Sequence, residues 1–325
     1  MFGFRGIAPG GENEKENDYE NEEEAVDEGL RGHLGAARLS HSHRMKSFLA
    51  CIALVFALTL TVRAQEGESL PERTLRQLVQ QQKDLLAEAA KGPERIDQDS
   101  LRTQFEQVCR RYETLLRDNP EFAPGFAAYG YLLSKLEQDK ESIAMLLKAN
   151  QLDPNLPLVK NQIGNYLAEH GKPLEALEYF LSAIKLAPKE ALYHYQLGTL
   201  LHEARDDFIT SGEWKRDALD RAMHKAFQQA AELAPDNIVY TYRYATSFYD
   251  LETPDWDEAL AVWRELEAHA QSPIERQTMR LHEANILLKQ DEPDEARDVL
   301  ATVTEPTLDQ QKQKLIAQLP AKPDK

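Results

Sequence analysis

The chain has 325 residues and a formal net charge of −17. This acidic balance argues against a nucleic-acid-binding protein, because such proteins need a surface of clustered Lys and Arg. The two cysteines, Cys51 and Cys109, cannot build a disulfide framework or a cysteine-based metal cluster within one chain. We therefore expect no nucleic-acid partner.

Residues 1–44 contain an acidic run from Glu12 to Glu24 and show no apolar periodicity. Such a segment cannot bury enough apolar surface to offset the entropy lost on ordering. The sequence predicts a disordered acidic extension over residues 1–44. It is either a plain extension from an upstream start codon or an acidic interaction tail.

Residues 45–64 have the pattern of a secretory signal peptide. Met45 and Lys46 precede an apolar run from Phe48 to Val62, and small residues follow at Ala64. The run is shorter than the roughly 20 residues that span a bilayer comfortably. We expect cleavage before Gln65 and a chain exported to the periplasm or secreted. The alternative is an uncleaved membrane anchor through residues 48–62, the only expected contact with a membrane.

Residues 65–122 predict a degenerate helical hairpin that covers the first end of the fold. A break at Gly92 and Pro93 separates its two helices. Cys109 lies in the second helix, where nothing nearby in sequence would lower the pKa of its thiol. We interpret it as a buried or half-buried free thiol. The apolar face of that helix contains Leu101, Phe105, Val108, Tyr112 and Leu115.

A period of 34 residues organises the centre of the chain. Gly130, Gly164 and Gly198 are 34 residues apart, and Pro120 and Pro154 keep the same interval. Ala and Leu positions repeat it as well. A period of this length is the signature of a stacked solenoid, in which each unit packs only on its neighbours.

The sequence of each unit predicts two helices joined by a short turn. In the second copy the turn contains Gly171 and Pro173, which suit a left-handed helix end and a first helical turn. The small residue Gly164 is expected to let the two helices of the unit approach closely. Phe180 and Leu186 are expected to fill the space between neighbouring units.

These residues resemble the tetratricopeptide repeat. The matching residues of the second copy are Ile163, Gly164, Ala176, Phe180, Ala183 and Pro188. The resemblance implies an all-α fold, a right-handed α-solenoid of stacked antiparallel helix pairs. It implies repeats over residues 123–305. An amphipathic sequence pattern after these repeats predicts a capping helix and tail over residues 306–325.

The third unit is longer than the others. Pro188 and Pro235 are 47 residues apart, 13 more than the period of 34. The excess lies around Ala204 to Asp217, which we interpret as an inserted loop. Two large apolar residues in it, Phe208 and Trp214, either fold back on the adjacent helices or contact a partner.

No catalytic pattern is present. The pairs His202-Glu203 and His282-Glu283 begin like a zinc-peptidase motif, but neither has a second His four residues after the first. There is also no phosphate-binding glycine loop and no nucleophile elbow. We expect a non-enzymatic protein with no metal and no cofactor.

The family resemblance implies a concave groove lined by the first helix of each unit. Asn side chains there can pair with a peptide backbone, and tyrosines offer a large contact area with a polar tip. The lysines with which some members clamp a terminal carboxylate are absent at the matching positions. The implied groove residues are Asn161, Asn165, Tyr195, Thr199, His202, Tyr242, Arg243 and Tyr249.

The resulting hypothesis is an exported, non-catalytic scaffold that binds a protein or peptide segment in this groove. The alternative is a fixed structural or assembly subunit of a cell-envelope complex. Exposed apolar residues on the convex face, or at the loop from Phe208 to Trp214, would favour this alternative.

Overall fold

The structure is a computed structural model that describes residues 68–91 and 97–320. The predicted acidic extension (1–44), the predicted signal segment (45–64) and the last five residues of the tail therefore lie outside the described residues. Within the described ranges, no helix is both long enough and apolar enough to cross a membrane.

The described residues contain fourteen α-helices and no strand, which confirms the predicted all-α fold. Two short 3-10 helices, Phe248–Asp250 and Pro306–Leu308, accompany them. The α-helices are α1 (Leu70–Ala89), α2 (Gln98–Asp118), α3 (Ala123–Lys135), α4 (Asp139–Leu152), α5 (Pro157–Glu169), α6 (Pro173–Leu186), α7 (Ala191–Glu203), α8 (Arg205–Thr210), α9 (Arg216–Leu233), α10 (Ile238–Ser247), α11 (Trp256–His269), α12 (Pro273–Lys289), α13 (Pro293–Ala301) and α14 (Asp309–Gln318).

The described residues divide into two compact units between Val262 and Trp263. In the larger unit, the main helix pairs are α3 with α4, α5 with α6, and α7 with α9. Consecutive pairs also touch, through α4 with α5 and α6 with α7. This is the nearest-neighbour packing of a solenoid. In the C-terminal unit, α12 packs against α13 and α14.

The periodic glycines lie where the two helices of a pair cross. A Cβ atom added at Gly164 would stand 3.1 Å from the Phe180 ring, and one at Gly198 would stand 2.7 Å from the Phe227 ring. Since α5 meets α6 and α7 meets α9 at these points, only the absence of a side chain permits the approach. The predicted close contact at Gly164 is confirmed.

The aromatic residues opposite these glycines are core residues, but one neighbouring prediction is wrong. Phe180 is buried with 2% of its surface exposed, and it packs against Gly164 of its own pair. Leu186, predicted to fill the space between units, is 38% exposed. It is the last residue of α6, and more than a third of its surface stays accessible at the helix end.

The turns between paired helices share one backbone geometry. Glu137, Gly171 and Asp291 all have positive φ, at 58°, 71° and 62°. The next residue in each turn donates its backbone N–H to a carbonyl five residues earlier, as Lys172 does to Leu167. This is the Schellman pattern at a helix end, which requires a left-handed residue. The predicted role of Gly171 is confirmed, and Glu137 and Asp291 adopt the same conformation without being glycine.

The insertion in the third unit folds back on the helices. It forms the short helix α8, which packs against α6, α7 and α9. Phe208 is completely buried, and the Trp214 ring lies 6.2 Å from it in an edge-on arrangement. Of the two alternatives for Phe208, the structure supports internal packing over contact with a partner.

Cys109 in α2 is a half-buried free thiol, as expected. Burial is the main cause that raises the pKa of this thiol, and the nearby Glu113 carboxylate adds to it. A raised pKa keeps the sulfur protonated at neutral pH and therefore weakly nucleophilic.

Candidate peptide-binding surface

Helices α5, α7 and α10, together with the 3-10 helix Phe248–Asp250 that follows α10, carry the predicted groove residues. Seven of the eight side chains are partly exposed, and one is not. The partly exposed ones are Asn165, Tyr195, Thr199, His202, Tyr242, Arg243 and Tyr249. Several of these are already engaged by the fold.

Asn161 is fully buried, so its prediction as a groove-lining residue is wrong. The helix that carries it, α5, packs against α3 and α4 as well as against its partner α6. Neighbouring helices therefore cover a wider part of α5 than its periodicity suggested. Both amide atoms of Asn161 lack hydrogen-bond partners among the described residues.

An aromatic cluster joins the pair α7 and α9 to the next helix, α10. The Tyr195 ring lies 4.7 Å from the Tyr240 ring and 5.9 Å from the Phe227 ring, measured between centroids. Tyr240 and Phe227 are both buried. Tyr195 thus contributes one face to the core and leaves the rest of its ring partly exposed.

The Arg243 guanidinium lies over the Phe227 ring, with its central carbon 4.9 Å from the ring centroid. Among the described residues, this cation–π contact is its only recorded side-chain interaction, and no carboxylate pairs with it. The ring fixes the position of the guanidinium without occupying its N–H donors.

Thr199 and Tyr242 are less available to a ligand than predicted. The Thr199 hydroxyl donates a hydrogen bond of 3.0 Å to the backbone carbonyl of Tyr195, one turn earlier. The Tyr242 hydroxyl oxygen is buried. Neither side chain therefore presents its polar tip to solvent, and Tyr242 offers part of its ring instead.

Comparison with known proteins supports the family resemblance. No protein-family model matches the sequence. A TPR repeat-containing protein of Treponema pallidum is 30% identical over 140 residues, which is 42% of this chain and 16% of the relative. The chain thus spans a small part of that relative's length.

Two solved structures share the fold. PilF of Pseudomonas aeruginosa has a TM-score of 0.52 and 15% identity, covering 76% of this chain and 99% of its own. YrrB, described as a TPR protein with an unusual peptide-binding site, has a TM-score of 0.50 and 16% identity, covering 63% of this chain and 97% of its own. The described part of the chain has the helical-solenoid fold of these tetratricopeptide-repeat structures.

The array of helix pairs departs from its own period between α7 and α10. Here an ionic cluster joins the end of α7, the insertion and the 3-10 helix Phe248–Asp250. The Arg205 Nη2 atom donates to Asp250 Oδ1 at 2.7 Å, and the Arg205 Nε atom lies 3.0 Å from Asp220 Oδ1. His202 Nδ1 lies 4.0 Å from Asp250 Oδ2. Sequence reasoning missed Arg205, Asp220 and Asp250, because no repeat position corresponds to an insertion.

Tyr249 lies beside this cluster on the same 3-10 helix. Its ring is 5.8 Å from the Trp256 ring, at the start of α11. Ring contacts thus hold Tyr195, Arg243 and Tyr249 in place. His202 lies instead beside the ionic cluster. Among the described residues, no group of His, Cys, Asp and Glu side chains could hold a metal ion.

Proposed function

We propose that this tetratricopeptide array is an exported, non-catalytic module that binds a protein segment across α5, α7 and α10. The observation that carries the proposal is Arg243, a guanidinium fixed on Phe227 with its N–H donors free of acidic partners. Such a group suits a carboxylate or a row of backbone carbonyls on the ligand. Asn165 and the open side of Tyr195 provide neighbouring polar and aromatic contacts.

The test starts from a phage-displayed library of random peptides selected on the whole chain. We expect enriched peptides to bind Arg243→Gln much more weakly than the native protein. Loss of a charge-assisted hydrogen bond removes about 1.5–3 kcal/mol, or more than tenfold in affinity. Asn165→Ala should weaken binding by a smaller factor.

The matched control is Arg102→Ala on α2. Arg102 is an exposed arginine paired with Glu106 one turn later on the same helix, which carries none of the groove residues. Its removal should leave peptide binding unchanged. If Arg243→Gln binds the selected peptides as tightly as the native chain does, the proposed surface is the wrong one.

A second candidate function is a fixed subunit of a larger envelope assembly. Leu147 on α4 and Leu181 on α6 are 34 residues apart and occupy the same place in successive repeats. They are 47% and 45% exposed, and Leu174 on α6 is 40% exposed. Repeated exposed leucines on second helices favour a contact outside the groove. The double change Leu147→Ser with Leu181→Ser should abolish such an assembly and leave peptide binding intact.

A further inference from the structure

The insertion of the third pair is unexplained by the repeat pattern and by peptide binding at Arg243. Its helix α8 begins at Arg205, and Phe208 within it is completely buried, while Ile209 is partly exposed. The exposed residues of the helix are all polar, namely Asp206, Asp207 and Thr210. The insertion therefore directs its specific contacts inward, toward the array.

Arg205 contacts two other helical segments, the 3-10 helix Phe248–Asp250 and α9. It donates to Asp250 at 2.7 Å, lies 3.0 Å from Asp220 on α9, and places Nη2 3.7 Å from the sulfur of Met223. Asp220 is nearly completely buried, with 5% of its side chain exposed, and its second oxygen lies 3.7 Å from Arg216. Burial raises the pKa of Asp220, and the Arg205 charge opposes that rise.

Asp250 is the partner of Arg205 on the 3-10 helix. It closes the 3-10 helix Phe248–Asp250, in which Tyr249 precedes it directly. Its second carboxylate oxygen is 4.0 Å from His202 Nδ1, at the end of α7. Two predicted groove residues, His202 and Tyr249, are thus adjacent to the same carboxylate, and that carboxylate is held by Arg205.

We infer that Arg205 is a positioning residue. Through Asp250 it fixes both the side chain of His202 and the segment that carries Tyr249. The insertion is thus an internal brace that links α9 to the 3-10 helix Phe248–Asp250. This inference rests on the proposed function only where it treats His202 and Tyr249 as groove residues. A buried or half-buried ion network is suited to the role, because removing one member leaves the others as uncompensated charges.

Hydrogen exchange of the unliganded full chain tests the brace. In Arg205→Ala and in Asp250→Asn, amides of residues 248–251 should exchange at least about tenfold faster, while those of α3 to α6 keep their native rates. Because both residues act through one contact, the double variant should exchange no faster than the more affected single variant. Arg102→Ala on α2, which removes an exposed pair with Glu106, is the matched control, and native exchange at residues 248–251 is expected there.

Arg205→Lys guards against a variant that unfolds. Lysine keeps the positive charge beside Asp220 but cannot contact two carboxylates with a planar fork. We expect native melting, faster exchange at residues 248–251, and at least about tenfold weaker binding of a library peptide selected on the native chain. Native exchange in Arg205→Lys, or additive effects of Arg205→Ala and Asp250→Asn, would overturn the inference.

The two proposals fail separately. If no peptide is selected by the native chain, the proposed function fails, while faster exchange in the Arg205 variants still establishes the brace. If peptides bind and respond to Arg243→Gln but exchange at residues 248–251 ignores Arg205, the brace fails and the binding surface stands.

Discussion

Single residues decide how closely the helices of each pair approach. Gly164 faces the Phe180 ring, and Gly198 faces the Phe227 ring, in each case at a distance that leaves no room for a side chain. Helix α10 has Ala245 at the corresponding place, and this residue is also fully buried. Small residues at one repeated place are thus a packing requirement, which is why the sequence shows them at a fixed period.

Replacing Gly164 should therefore be costly. Gly164→Leu drives a branched side chain into the Phe180 ring, and overpacking of this kind costs about 1–3 kcal/mol or more. Ala144→Leu, at an exposed place on α4, is the control and should stay within about 0.5 kcal/mol of the native stability. Urea unfolding measures both. Equal stability of Gly164→Leu and the native chain would contradict the packing described for this pair.

A second residue-scale prediction concerns the turn between α3 and α4. Glu137 has φ of 58°, a conformation that costs a non-glycine residue roughly 1–2 kcal/mol. Glu137→Gly should therefore stabilise the chain by a few tenths to about 1 kcal/mol, after the extra entropy of glycine is counted. Ala144→Gly, inside α4, should instead destabilise it by about 1 kcal/mol. The two melting curves should move in opposite directions, and parallel shifts would show that Glu137 is unstrained.

At the scale of elements, α12 of the C-terminal unit combines two buried titratable side chains. His282 is buried and its ring stacks on Trp263 at 3.8 Å. Glu283 is buried beside the Glu267 carboxylate and lies 3.4 Å from Arg264, while Arg280 contacts Glu267 at 2.6 Å. Burial lowers the pKa of His282 to about 3. Burial, helped by Glu267, raises the pKa of Glu283 to about 7.

These two shifts have opposite effects on stability. Unfolded His282 takes up a proton below pH about 6.5 and the folded residue does not, so acidification from 6.5 toward 3 destabilises the unit. Unfolded Glu283 loses its proton above pH about 4.5 and the folded residue retains it to about 7, so raising the pH through this window destabilises the unit. Between about 4.5 and 6.5 the two slopes cancel.

We therefore predict a plateau of stability over that window and separate slopes in the variants. Glu283→Gln should remove the loss toward pH 7, and His282→Gln should remove the loss on acidification. Native-state hydrogen exchange of α12, corrected for the intrinsic pH dependence of exchange, gives the measurement. Glu265→Gln on α11 alters an exposed carboxylate and serves as the control. A variant Glu283→Gln that still loses stability between pH 5 and 7 would refute the assignment.

At the scale of the whole molecule, the chain joins a predicted export segment to an array of repeats. The apolar run from Phe48 to Val62 and the small residue Ala64 predict cleavage before Gln65. We expect protein isolated from the native host to begin at Gln65, as N-terminal sequencing would show. A cytoplasmic product that retains residues 1–44 would contradict this, and a membrane-bound product retaining residues 48–62 would support the anchor alternative.

The helical repeats could be predicted from the sequence alone. The 34-residue period, the glycine at the crossing of α5 and α6, and the turn at Gly171 follow from local rules. Helix propensity, helix ends and periodicity all act over a few residues, so they can be recognised without knowing which helix packs where. The burial of Phe180 follows from the same pattern.

Tertiary structure alone decided which of the periodic positions remain open and what the insertion does. Asn161 shares a helix face with Asn165, yet α3 and α4 cover it while Asn165 stays partly exposed. Leu186 satisfies the repeat pattern, yet 38% of it stays exposed at the end of α6. Arg205 and Asp250 are 45 residues apart and meet only because two helix pairs stack. Exposure and ion pairing depend on neighbours distant in sequence, and no local periodicity encodes them.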